Sequence, residues 1–132
     1  MGTKVILSEG SVPLADWNAL VPLSWLAPEG SFPLHEIRIS SDWVQKESCD
    51  YSKDDARGFV TRRQPTVSVE IADVQTKTVL GQKVFEGGQP DECPETWTFN
   101  QLAPSDFIDG SAPEVEPFGP WLMEIMGKVG YE

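Results

Sequence analysis

Long apolar runs are missing from this 132-residue sequence. It contains no stretch of about 18 uncharged apolar residues, so a membrane-spanning helix is excluded and no membrane insertion is predicted. Residues 1–9 also lack the apolar centre of about 7 to 15 residues that a signal peptide needs. Either the protein stays where it is made, or a leader has been removed.

Positive charge is scarce. The chain has 10 Lys and Arg against 21 Asp and Glu, which gives a formal net charge of −11. Direct binding to nucleic acid or to anionic lipid needs a cationic surface, so both are excluded as general functions. Residues 1–66 carry nine acids and seven bases, whereas residues 67–132 carry twelve acids and three bases. No Lys or Arg occurs between Lys83 and Lys128.

Motifs of known catalytic sites are absent. The sequence has no Gly-x-Ser-x-Gly, no Gly-x-Gly-x-x-Gly, no phosphate-binding loop and no His-Glu-x-x-His. The only histidine, His35, lies in phase with Ile37 and Ile39 and is expected to face the core. Adjacent acids such as Asp54 and Asp55 point to opposite faces of an extended chain, so they do not converge on one bond. We predict no catalytic residue and no cofactor, and we favour a non-catalytic protein over an enzyme.

Metal-binding patterns are also sparse. One His and two Cys without Cys-x-x-Cys spacing do not complete a zinc site with four protein ligands unless a carboxylate joins them. Calcium prefers oxygen ligands, and two parts of the sequence offer several, although neither has the spacing of an EF-hand. We predict no resident metal. The two oxygen-rich sets are Asp91, Glu92 and Glu95, and Asp106, Asp109, Gly110 and Ser111.

What the sequence does contain is a series of extended segments. Apolar and polar residues alternate in residues 34–40 and most clearly in 66–73, which is the period of a half-buried strand. Asp73 supplies a turn after the second of these, so we predict a hairpin over residues 66–85. Further extended segments are predicted at 43–51, 58–63, 78–85 and 95–99.

Prolines and glycines divide the chain into parts of one domain. Residues 103–120, between the last predicted strand and the C-terminal helix, form an unusually long loop, and such loops tend to be functional or mobile. Pro120 and Gly127 bound an apolar helix of about 120–126, with Gly127 expected as its left-handed stop. The parts are a Pro/Gly-rich wrapping segment (8–33), a sheet core (34–99), a long acidic loop (100–119) and a short helix (120–127).

These elements predict a mainly β fold. Short strands separated by Gly and Pro, without ten-residue helical connections, favour an antiparallel β-sandwich or a partly open barrel with one or two short helices. A doubly wound parallel sheet is disfavoured for the same reason.

Cys49 and Cys93 are the only cysteines. Cys49 lies in phase with Trp43 and Tyr51 on a predicted strand, and Cys93 lies in a loop-like Asp-Glu-Cys-Pro setting. We predict a disulfide between them, which would close a loop of about 45 residues. The alternative is two separately buried thiols in a reducing compartment.

Residues 69–79 followed by 85–94 look like β-domains of exported bacterial proteins. In those domains a strand, a turn and a second strand precede a loop rich in Gly, Pro and Cys. The resemblance implies no activity. It implies an extracytoplasmic or secreted location, which we favour over the cytoplasm.

The acidic second half of the chain leads to a functional hypothesis. We predict a non-catalytic interaction module that recognises a protein with a basic surface. The alternatives are an ordinary solvated face, self-association through Arg57, Arg62 and Arg63 of a neighbouring copy, an intracellular acidic inhibitor or nucleic-acid mimic in a basic groove, and a hydrolase with dispersed carboxylates. The predicted acidic surface consists of Glu86, Asp91, Glu92, Glu95, Asp106, Asp109, Glu114 and Glu116.

Overall fold

A single open sheet of five strands organises the protein. The structure is a computed structural model that describes residues 2–53, 56–97 and 105–132. The mainly β fold class and the C-terminal helix are confirmed. No helix in these ranges is long and apolar enough to cross a bilayer. The elements are β1 (Thr3–Ser8), α1 (Ala15–Ala19), a 3-10 turn (Leu23–Trp25), β2 (His35–Lys53), β3 (Ala56–Asp73), β4 (Val79–Glu86), β5 (Ser105–Asp109) and α2 (Phe118–Gly127).

The long antiparallel hairpin of β2 and β3 carries the other strands. β1 pairs in parallel with the first part of β2. β4 pairs antiparallel with the second half of β3, and β5 pairs in parallel with its first half. The parallel pairings need long connections, and the chain supplies them in residues 9–34 before β2 and in the stretch between β4 and β5.

Pro65 lies where β3 changes its neighbour. β5 ends opposite Arg63, and β4 begins its pairing opposite Thr66. The C=O of Pro65 accepts a hydrogen bond of 2.9 Å from the N–H of Gly87. The missing N–H of the proline points to the same edge, into the gap between the two neighbouring strands. A proline is tolerated here, and the strands predicted on either side of it are one strand.

A β-bulge divides β2. The register with β3 shifts between Gln45 and Glu47, which leaves one extra residue in β2. Because side chains alternate across a strand, the extra residue moves all later side chains to the opposite face. Trp43 therefore lies on one face of the sheet and Cys49 and Tyr51 on the other. The prediction that these three residues share a phase is wrong.

The core lies on one face of β1 to β4 and is covered by helices and the N-terminal segment. Its sheet side consists of the buried residues Ile37, Ile39, Val67, Val69, Ile71 and Phe85. Its second layer is contributed mainly by Leu14, Trp17, Val21, Trp25, Phe118, Leu122 and Met126. Burial of residues four apart in α2 is the pattern of a helix with one apolar face.

The opposite face of the sheet, which we call the polar face, is open along β2, β3 and β4. Arg38, Ser40 and Glu70 lie on it. The Arg38 guanidinium donates to the Glu36 carboxylate, and this contact raises the pKa of Arg38 above its ordinary value. The alternation that predicted residues 34–40 and 66–73 as strands reflects this contrast between the two faces.

The histidine and the C-terminus pack together at one end of the core. His35 is buried, as its phase predicted, and its Nδ1 lies 2.9 Å from the hydroxyl of Tyr131. The indole N–H of Trp25 donates to the C=O of Glu132 over 2.9 Å. These contacts account for the histidine as part of the core.

The turn predicted at Asp73 is present in the β3–β4 hairpin. Its carboxylate accepts the backbone N–H groups of Thr76, at 2.9 Å, and Gln75, at 3.0 Å. These bonds, led by the one from Thr76, hold the pKa of Asp73 below its ordinary value. Lys77 adopts a left-handed φ of 66° to complete the turn.

Two strands are not anticipated by the sequence analysis, and one helix end differs from it. β1 was not predicted, and β5 lies inside residues 100–119, which were predicted to be a loop. In the segment predicted as a strand at 95–99, residues 95–97 are irregular, and 98–99 lie outside the described residues. Gly127 remains helical, and the left-handed residue after α2 is Gly130, with a φ of 97°.

Candidate acidic interface

Two acidic segments, residues 86–95 and 105–116, meet at the edge of β3 that faces away from β2. After Glu86 the chain leaves β4 and runs onto the polar face, and after Asp109 it leaves β5 towards α2. The two segments cross, and there the N–H of Gly88 donates to the C=O of Ser111 over 2.9 Å. The crossing brings residues from both ends of the acidic half of the sequence to one edge of the sheet.

Arg62 and Gln64 of β3 hold the first segment on the polar face. The Arg62 guanidinium donates to the C=O groups of Pro90, at 2.8 Å, and Asp91, at 2.7 Å. The Gln64 amide, which is buried, donates to the C=O of Gly87 over 2.8 Å. Arg62 therefore positions the backbone of the acidic segment and leaves the Asp91 carboxylate free.

Arg63 holds the second segment on the core side of the sheet. Its Nε and Nη2 donate to the two carboxylate oxygens of Asp109 over 2.8 and 3.0 Å. Its Cζ lies 3.9 Å from the ring centroid of Trp43 and 3.8 Å from that of Phe107. Bidentate pairing and stacking on aromatic faces are the contacts that guanidinium groups make best. They dock β5 against the hairpin.

Glycines make the crossing geometrically feasible. A Cβ built on Gly110 would lie 1.8 Å from the C=O oxygen of Gly88, and one on Gly88 would lie 2.3 Å from the Ser111 hydroxyl oxygen. A Cβ on Gly87 would lie 2.2 Å from the C=O oxygen of Ser111. Real Cβ atoms do not approach other atoms this closely, so side chains at these positions would force the segments apart.

Replacing Gly110 by alanine is expected to lower the free energy of unfolding by about 2 to 3 kcal/mol, because the new methyl group overlaps the backbone oxygen of Gly88. Urea unfolding measures the loss. Gly127→Ala is the matched control, since a Cβ on this helical glycine meets nothing within 4 Å. Equal stability of the two variants would contradict the described crossing.

A further set of contacts fixes the loop that follows the crossing. The Sγ atoms of Cys49 and Cys93 lie 1.95 Å apart, the distance of the predicted disulfide. The Tyr51 hydroxyl donates to the C=O of Pro94 over 2.5 Å, and the rings of Tyr51 and Trp97 lie 5.6 Å apart. The loop is thereby attached to the polar face at several points along its length.

A group of potential metal ligands lies where this loop is bridged to β2. Ligand atoms of Glu47, Cys49 and Cys93 lie within 4.8 Å of one another. The two sulfurs are bonded to each other, and the Glu47 carboxylate pairs with Arg62 over 3.0 Å. In this state the group offers no thiolate to a metal. Within the described ranges, Asp91, Glu92 and Glu95 do not form such a group.

The predicted acidic residues are exposed and mostly unpaired. All eight are exposed to solvent. Asp109 forms the ion pair with Arg63, and the other seven form no ion pair with any residue in the described ranges. The carboxylate of Asp106 accepts the backbone N–H of Phe107 over 2.8 Å.

Five of the eight acidic residues fall into two groups around the crossing. Glu86 and Glu114 line one depression of about 350 Å³, together with Ser111 and the glycines of the crossing. The second group, Asp91, Glu92 and Glu95, belongs to the loop over the polar face. The crossing thus brings Glu86 of the first segment close to Glu114 of the second.

Arg57, Arg62 and Arg63 do not form a common patch. Arg62 and Arg63 point to opposite faces of β3, and their side chains are only 18% and 21% exposed. Arg57 lies near the far end of the hairpin, where it lines a depression of about 480 Å³ with Asp50 and Phe59. Sequence reasoning missed the role of the arginine pair. The sequence did offer one signal: Arg62 and Arg63 are adjacent, and adjacent residues in a strand point to opposite faces of the sheet.

Comparison of the chain with models of protein families, with curated proteins and with solved structures gave no match.

Proposed function

We propose that the protein is a non-catalytic binding module whose acidic edge docks on a basic surface of another protein. We define the acidic edge as the predicted acidic residues on the two crossing segments, 86–95 and 105–116. The observation that carries the proposal is that seven of its exposed carboxylates have no ion pair in the described chain. Their charge is available to a partner.

The way in which the edge is held also supports binding. Arg62 donates to backbone C=O groups of the first segment, and Arg63 uses a single carboxylate of the second. The crossing and the Cys49–Cys93 bridge add further anchors. Carboxylates on an ordered backbone bind a cationic surface with less loss of conformational entropy than carboxylates on a flexible tail. Their summed field also accelerates the encounter.

The proposal includes a location outside the cytoplasm. Disulfides persist in oxidising compartments and are rare where thiols are kept reduced. The Cys49–Cys93 disulfide therefore favours an exported module over an intracellular inhibitor.

A charge-matched pair of variants tests the acidic edge. Glu86→Gln with Glu114→Gln removes two carboxylates that line one depression. We expect this variant to bind a labelled oligolysine peptide about tenfold more weakly than the native protein, because two exposed charge contacts of about 0.7 kcal/mol each are lost. Fluorescence anisotropy at low and physiological salt measures the affinity, which falls as salt increases.

The control carries the same change in net charge elsewhere. Asp16 and Glu29 are exposed acids of the N-terminal segment, and Asp16→Asn with Glu29→Gln is expected to change the affinity by less than about twofold. Unchanged thermal unfolding shows that both variants are folded. Equal weakening by both pairs would contradict the proposal, since binding would then depend on net charge and not on this edge.

A further inference from the structure

β1 is an edge strand, and its backbone groups alternate between the sheet and the outside. The C=O of Gly2 points to β2 and accepts the N–H groups of Leu34, at 2.8 Å, and His35, at 3.2 Å. The next residue, Thr3, points outward, and its C=O accepts the N–H of Ala27 over 3.0 Å. Even-numbered residues of β1 thus bond to β2, and odd-numbered residues face the outer edge.

Beyond Thr3, the outer edge of β1 is open. The outward backbone groups are those of Val5 and Leu7, and no hydrogen bond from elsewhere in the described chain reaches them. Natural proteins protect such edges with prolines, charges or bulges. None of these occurs between Val5 and Leu7, where the sequence is Val-Ile-Leu.

The surroundings of this edge are apolar and weakly charged. Leu7 is 42% exposed, and Leu26, which pairs beside Thr3, is 39% exposed. Glu29 is the only charged side chain in residues 17–34, and Lys4 is the only one in β1. In a chain of net charge −11, a second copy meets little local repulsion at this edge.

We propose that β1 pairs antiparallel with β1 of a second copy, across a two-fold axis at Ile6. In this register Val5 lies opposite Leu7 of the second copy, and Leu7 lies opposite its Val5. Each of these pairs exchanges both backbone hydrogen bonds, so every outward group of Val5 and Leu7 finds a partner. Shifting the axis to Val5 would place Leu7 opposite Thr3, whose outer edge is already occupied by Ala27.

The side chains agree with this register. Val5 and Leu7 lie on the core side of the sheet, because they pair with Ile37 and Ile39. Directly opposed residues in an antiparallel pair share a face, so the core sides of the two copies continue into each other. Lys4 meets Ser8 of the second copy, and no like charges oppose each other. The strand is thus complementary to itself, as an interface between identical copies requires.

The proposal is independent of the acidic edge, and the oligomeric state tests it. Sedimentation equilibrium of the native protein over a concentration series is expected to show a monomer–dimer equilibrium. Val5→Pro removes an N–H that the pairing with β2 does not use, so the variant is expected to fold. It loses two equivalent hydrogen bonds per dimer, and the dissociation constant is expected to rise about thirtyfold at about 1 kcal/mol each.

Phe32→Ser is the matched control, because it removes a ring that is 94% exposed without touching the edge of β1. It is expected to leave the dimer unchanged. Ile6→Cys adds a second measurement that does not depend on a proline. Cysteines at Ile6 would meet across the axis at about 4.5 Å between Cα atoms and form an intermolecular disulfide on oxidation.

The outcomes of these measurements either support or overturn pairing of β1 with β1 of a second copy. A monomer at every concentration would overturn the proposal, as would a dimer that Phe32→Ser abolishes and Val5→Pro does not. Association that weakens as salt increases would also overturn it, since that response indicates pairing between acidic and basic surfaces. A dimer that persists in high salt, dissociates on Val5→Pro and is crosslinked by Ile6→Cys supports it.

Discussion

Replacing Cys49 and Cys93 together by serine is expected to lower the free energy of unfolding by about 4 kcal/mol. The bridge joins residues 44 positions apart, and in the chain-entropy account its loss restores the freedom of that loop in the unfolded chain. A domain of this size commonly has about 5 to 15 kcal/mol of stability, so the change is large. Urea unfolding of the native protein and the double variant measures it.

Reduction provides the control for this prediction. A phosphine reductant is expected to destabilise the native protein by a similar amount and to leave the double serine variant unchanged. In the absence of reductant, the native mass is expected to lie about two daltons below the reduced mass, because a disulfide lacks two hydrogens. Two thiols that are freely alkylated in the native protein would contradict the bridge and favour the intracellular inhibitor.

Phe118→Ala is expected to cost about 3 to 5 kcal/mol, because it leaves a large cavity where the helices meet the sheet. Phe118 is fully buried. Its ring centroid lies 5.2 Å from that of Trp17, 6.0 Å from that of Phe85 and 6.5 Å from that of Trp121. Truncation therefore removes contacts to α1, β4 and α2 at once. Thermal or urea unfolding measures the loss.

Phe32→Ala is the control for the cavity. Its ring is 94% exposed, so its removal is expected to change the free energy of unfolding by less than about 0.5 kcal/mol. A similar loss in the two variants would indicate that Phe118 does not lie at the centre of the core.

The sequence predicts those strands in which one side is buried in the core and the other side is exposed to solvent. Residues 66–73 alternate because β3 has the core on one side and the polar face on the other. β1 is not predicted, because Val5, Ile6 and Leu7 are consecutive apolar residues and show no alternation of apolar with polar residues. β5 is not predicted either, because an edge strand of five residues buries too few side chains to produce an alternating apolar pattern.

Tertiary contacts decided the features that local patterns did not reveal. One extra residue at the bulge in β2 reversed the faces of Cys49 and Tyr51 relative to Trp43. Pro65 signals a strand end in isolation, but the gap between β4 and β5 lets β3 continue through it. In both cases the pairing with neighbouring strands sets the local structure.

The sequence predicts the carboxylates of the acidic edge but not the residues that hold them in place. Composition identified the carboxylates, because charge can be counted. It did not identify the residues that hold them, since Arg62 and Arg63 resembled a basic patch until their separate partners were known. The crossing glycines were also hidden, because a close approach between residues 88 and 110 has no local signature.

The parallel pairing of β5 with β3 constrains the order in which the chain assembles. Phe59 and Ser105 are partners in this pairing, and the chain between them includes most of β3, all of β4 and the disulfide loop. The β2–β3 hairpin joins two strands that are consecutive in the chain, whereas β5 has no strand to pair with until β3 is in place. We therefore expect β5 to dock late in folding, after the β2–β3 hairpin has formed.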